Sequence, residues 1–114
     1  MTYQEVKQMV ASIGIPYAYY QFPEGTDQPC PFICFYFTGS NDLAADDTNY
    51  QRIRPLAIEL YTDNKDFALE QTVEDALSNS GLVYSRNETY LDTEKMNMVT
   101  YTTEIVITKE NDNA

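Results

Sequence analysis

Histidine and tryptophan are absent from the 114 residues, and cysteine occurs only twice. Without histidine there is no imidazole for a nucleophilic triad, a metal site or general base work near neutral pH. Basic residues are scarce: 7 Lys and Arg stand against 18 Asp and Glu, a net charge of −11. A protein that grips a phosphate backbone needs a basic surface, so direct nucleic-acid binding is not expected. No apolar run approaches the ~20 residues that a membrane-spanning helix requires. No basic-then-apolar leader opens the chain, so export by a signal peptide is not expected either. The four glycines, Gly14, Gly25, Gly39 and Gly81, are scattered and build no phosphate-cradling loop.

The two cysteines stand as C-P-F-I-C, Cys30 and Cys34. Two thiols without histidine do not close a tetrahedral zinc site. They read as a loop thiol and a small buried thiol of a reduced, cytosolic protein. Carboxylates are plentiful, but the tight pair Asp46-Asp47 sits in a polar, turn-rich stretch. Acid–base catalysis needs rigid placement in a partly desolvated pocket, and a calcium loop needs a spacing that is missing here. The chain is therefore read as non-enzymatic, with no catalytic residue, cofactor or metal.

What is present is a foldable composition, 43% hydrophobic and 22% charged, of a length that supports one core. A single domain over 1–108 with a polar tail at 109–114 follows. Thr2 and Glu5 form a capping-box pattern, and Val6, Met9, Val10 and Ile13 recur at helical spacing before Gly14 and Pro16. Tyr17 to Phe22 reads as a strand, Pro23 to Pro31 as a loop, and Phe32 to Thr38 as a strand apolar on both faces. Gly39 to Asn49 is expected to be an exposed acidic loop carrying Asp42, Asp46 and Asp47. Tyr50 to Thr62 is extended; Arg52 and Arg54 share parity with Leu56, so Pro55 is expected to mark a bulge or a bend that turns the arginines outward, on a strand edge or extension. Phe67, Leu69, Val73, Ala76 and Leu77 stripe a second helix, with Glu70, Glu74 and Asp75 outside. Leu82 to Leu91, a turn at Asp92 to Lys95, and Met96 to Thr108 complete the chain. Val99, Tyr101, Thr103, Ile105 and Ile107 share one face of the last strand. The lysines, each near carboxylates, read as members of solvated pairs.

The order α-β-β-β-α-β-β gives an α+β class: an antiparallel-dominated sheet of about five strands with two helices on one face. Ten Tyr and five Phe exceed what one small core requires. Tyrosine suits interfaces, where the ring is buried and the hydroxyl stays wet. The uncovered face is thus expected to be aromatic and to pair with other copies.

The stretches Ala18 to Gly25 (A-Y-Y-Q-F-P-E-G), Pro31 to Phe37 (P-F-I-C-F-Y-F), Asn49 to Phe67 (N-Y-Q-R-I-R-P-L-A-I-E-L-Y-T-D-N-K-D-F) and Glu94 to Ile105 (E-K-M…Y-T-T-E-I) resemble head–tail joining proteins of tailed phages and prophages, specifically the tail terminator or tail completion proteins. The resemblance implies a virion structural protein, assembled in the bacterial cytoplasm. Such proteins form a homo-oligomeric ring, usually a hexamer, at the head-proximal end of the tail tube. Its partners would be itself, the major tail tube protein and a head connector or neck protein, with DNA only passing through the lumen. A ring needs one patch of each subunit to meet a different patch of the next. Arg52 and Arg54, the only clustered positive charges, with Tyr50, Tyr61, Phe35 and Phe37, are the expected interface residues. The complement is expected on helix 67–80 or the 39–49 loop. The alternative is an acidic DNA mimic that binds a nucleic-acid-binding host factor, for which Glu70, Glu74 and Asp75 would supply a row of carboxylates.

Overall fold

The capping box forms as its spacing requires. In a computed structural model describing residues 1–45 and 48–108, the Thr2 hydroxyl accepts from the Glu5 N–H at 3.1 Å and the Glu5 carboxylate accepts from the Thr2 N–H at 2.9 Å. This starts helix α1 (Tyr3–Ala11), and Gly14, at φ +89°, turns the chain out of it. A helix this short is marginal alone. It persists because Val6, Met9 and Val10 are buried, at about 2 kcal/mol apiece.

The strands follow as β1 (Tyr17–Tyr19), β2 (Phe32–Phe37), β3 (Leu43–Ala45), β4 (Thr48–Thr62), β5 (Tyr84–Leu91) and β6 (Met96–Ile107), with helix α2 (Phe67–Asn79) between β4 and β5. The sheet order is β1-β2-β4-β6-β5. Among the described residues only β1–β2 is parallel, and the other pairings are antiparallel. Neither helix is long and apolar enough to cross a membrane.

The helices share one face. Val6, Met9, Val10 and Ile13 beside α1, and Val73 and Leu77 of α2, pack on Ile33, Phe35, Leu56, Ile58, Leu60, Val99, Tyr101, Ile105 and Ile107. The expected alternation of β6 is met in full, since Val99, Tyr101, Thr103, Ile105 and Ile107 are all buried.

Two expectations about β4 and its surroundings are overturned. The segment 39–49 is not a plain loop, because Leu43–Ala45 forms β3 and pairs with the start of β4. Nor does Pro55 mark a bulge: the β4–β6 register runs unbroken from Arg52↔Ile107 to Thr62↔Asn97. Arg52 and Arg54 therefore stay on the helix side of the sheet. Neither enters the core as an unpaired charge: Arg52 is exposed, and Arg54 meets Asp42 and Tyr3 of α1. The 15 residues of β4, at about 3.3 Å each, match the longest dimension of a molecule measuring 50 × 28 × 28 Å.

Helix α2 also differs from its expected stripe. Val73 and Leu77 are buried, but Phe67 is 73% exposed and Glu70 only 3%. Phe67 opens the helix, and the Lys65 ammonium lies 4.8 Å from its ring centre. Glu70 is drawn inward by cations. Lys65 Nζ lies 2.7 Å from one carboxylate oxygen, and Arg86 Nη2 donates to the other at 2.6 Å.

Candidate functional site

Alternation places the second set of strand residues on the face away from the helices. Register arranges them in rows. Phe32 stands opposite Tyr61, which stands opposite Met98; Cys34, Glu59 and Thr100 make the next row, and Tyr36, Ala57 and Thr102 the next. On β5 the rows end in Thr89, Asn87 and Ser85. The open face is thus aromatic over β2 and β4 and polar over β6 and β5. The sequence-based expectation of an aromatic open face is met on half of it. The other half is hydrophilic because β6 and β5 turn Thr, Asn and Ser to that side.

The aromatic half is ordered by ring contacts. Phe32 and Tyr61 stack at 4.7 Å, Phe22 meets Phe32 edge-on at 5.5 Å, and Tyr20 leans on Tyr36 at 5.2 Å. Within it sits Glu59. The Tyr36 hydroxyl donates to one Glu59 oxygen at 2.9 Å and the Tyr61 hydroxyl to the other at 2.7 Å. Burial and these bonds to a carboxylate raise both phenol pKa values, so both hydroxyls stay protonated donors. Cys34, opposite Glu59, is 6% exposed. Burial, with the Glu59 charge added, pushes its thiol pKa up and leaves it unreactive. Cys30 is a second free thiol, half-buried.

The expected interface residues divide between the two faces. Tyr61 belongs to the open face. Phe35 is 6% exposed and lies in the core, and Phe37 packs against that core. Both line a groove of about 460 Å³ with Tyr3, Lys7, Tyr17 and Tyr19. Odd-numbered positions of β2 face the helices, so Phe32 and Tyr36 hold the outward places instead. Tyr50 is in β4, but its side chain lies outside the described residues.

Arg54 has its complement within the subunit. It forms an ion pair with Asp42 and a hydrogen bond with Tyr3. Asp42 also accepts from the Ile53 N–H at 3.0 Å, and its side chain is only 9% exposed. Asp42 is therefore not an exposed loop acid; it ties the stretch before β3 to β4. Asp46 and Asp47 lie outside the described residues. Arg52 is exposed, with no ion-pair partner among the described residues.

The expected acidic row on α2 does not stand free. Glu70 is buried between Lys65 and Arg86, and Glu74 accepts from the Tyr84 and Tyr101 hydroxyls at 3.1 and 2.8 Å. Only Asp75 of the three is exposed. Lys65 likewise is no ordinary solvated lysine. Partial burial works against its ammonium, but hydrogen bonds to Glu70 and Glu88 outweigh that and raise its pKa.

No family model matches the chain, and no curated protein matches it. Among solved structures, a chain of the virion of a native gene transfer agent particle is similar. It is 15% identical, with a TM-score of 0.62 over 90% of this chain and 87% of that one. At that identity the likeness establishes a shared α+β fold.

Proposed function

We propose that this chain is a non-enzymatic structural protein of a tailed-phage or prophage virion, a tail terminator or neighbouring neck protein that closes into a ring on the head-proximal end of the tail tube. The observation that carries the reading is the fold likeness, which spans nearly all of this chain and of a virion component. The open face supports it. Phe32, Tyr36, Tyr61 and Met98 are only partly covered within the subunit, as fits residues that wait for a neighbour. The acidic balance suits a ring wall that DNA passes without adhering. The DNA-mimic alternative is weakened by the α2 carboxylates, two of which are engaged inside the subunit.

The test is deletion of the gene from its phage or prophage, with lysates viewed by negative-stain electron microscopy. A terminator's loss leaves heads without tails and tubes of uncontrolled length. Tubes of normal length that fail to join heads would assign the neck role. Intact particles at normal yield would overturn the proposal.

A further inference from the structure

Glu59 is the anomaly of the open face. It is half-buried, three residues before the end of β4, and among the described residues no Lys or Arg pairs with it. Removing a carboxylate from water is costly unless a partner neutralises it. Here two tyrosine hydroxyls fix the group in place. A carboxylate offers about four lone-pair sites, so acceptor capacity remains toward solvent. The rings of Phe32, Tyr36 and Tyr61 surround it. A held carboxylate among flat rings suits a guanidinium, which bonds in a plane and stacks on aromatic faces, better than it suits an ammonium.

The chain carries three arginines. Arg54 is held by Asp42, and Arg86 by Glu70. Arg52, near the start of β4 and opposite Ile107, is exposed and has no ion-pair partner among the described residues. We infer that Arg52 of one copy docks on Glu59 of the partner subunit, within the aromatic half of the open face, and that this contact repeats from copy to copy.

The geometry makes the contact directional. β4 has no bulge between the two residues. An odd separation along a regular strand puts them on opposite faces, roughly 23 Å apart for seven steps. One neighbour does not cover both patches, so the contact is head-to-tail rather than self-complementary. Such contacts close as rings or run on as filaments. The inference rests on the ring reading above and supplies its adhesive pair.

The experiment is sedimentation velocity of the full-length chain across concentrations up to about 1 mM, the weak end of specific association. Arg52→Glu and Glu59→Lys each weaken self-association by at least about tenfold. The double variant, and an equal mixture of the two single variants, regain it. Glu59→Gln keeps the shape of the side chain and also weakens association, which covers the case of a misfolded Glu59→Lys; circular dichroism checks each fold. A wild type that associates while both single variants match it overturns the Arg52–Glu59 contact and leaves the ring standing. Failure of the double variant and the mixture to regain association also overturns the contact. A wild type monomeric throughout overturns self-docking by this pair, while the gene deletion tests the virion role separately.

Discussion

Tyr101→Ala lowers the stability of the subunit by about 4 kcal/mol, and its thermal midpoint by roughly 20 °C for a domain of this size. Tyr101 is 0% exposed, so truncation leaves a cavity at the centre of the sheet. Its ring meets Tyr84 edge-on at 5.7 Å, and its hydroxyl donates to Glu74 of α2 at 2.8 Å. The residue therefore fills the core and also fastens α2 to β6. Burial, reinforced by the Glu74 carboxylate, raises its phenol pKa and keeps it a donor. Tyr101→Phe isolates the hydroxyl and costs about 1 kcal/mol, because Glu74 is only partly buried and water replaces the lost donor. Differential scanning calorimetry of the two variants checks both values. Equal small losses would show that the ring does not fill the core.

Glu70→Ala is expected to cost about 2 kcal/mol. Removing one partner of a fully buried ion pair costs more, about 3–5 kcal/mol. The cations here, Lys65 and Arg86, keep 26% and 40% of their side-chain surface exposed, so water takes up part of the lost interaction. Urea titration measures the difference. A loss below about 0.5 kcal/mol would mean that the cluster behaves as a surface pair. The same cluster has a pH signature. The hydrogen bond from Lys65 holds the Glu88 carboxyl below its ordinary value. Its contribution is thus present above the ordinary carboxylate range and fades as the pH falls through it. Glu88→Gln should make the acid limb of the stability profile shallower.

The parts of the fold that were legible in the sequence are those governed by local repetition. Val99 to Ile107 alternates without interruption, and Thr2 with Glu5 completes a motif within four residues; both form as read. Glu70 was not legible. Its position on α2 reads as solvent-facing, and the cations that draw it inward come from Lys65 before the helix and Arg86 on β5. Periodicity does not report a charge supplied from another element. Arg52 and Arg54 were misplaced for a related reason. The expected bulge assumed that an arginine on the helix side must be buried without a partner, whereas Asp42 and Tyr3 meet Arg54 and Arg52 stays exposed. The strand β3 is three residues long and too short for pattern reading.

The candidate site was half legible. Surplus tyrosine and phenylalanine pointed to an open aromatic face, and Tyr61 is on it. Strand β2 is apolar on both faces, so its sequence offers no means of telling Phe35 and Phe37 from Phe32 and Tyr36. Only the pairing with β4 does that. Glu59 passed unnoticed, because a glutamate in an alternating strand reads as a solvent-facing residue. Its significance comes from the two hydroxyls that converge on it and the cation that none of its described neighbours provides.

The central claim is that copies of this chain join through two different patches on opposite faces of one sheet. Native mass spectrometry of the wild type and the Arg52→Glu/Glu59→Lys double variant tests it most directly. The account predicts one closed species of fixed copy number above two for both proteins, and loss of that species in each single variant. A symmetric dimer that survives either charge reversal, or a chain that stays single at every concentration, would contradict it.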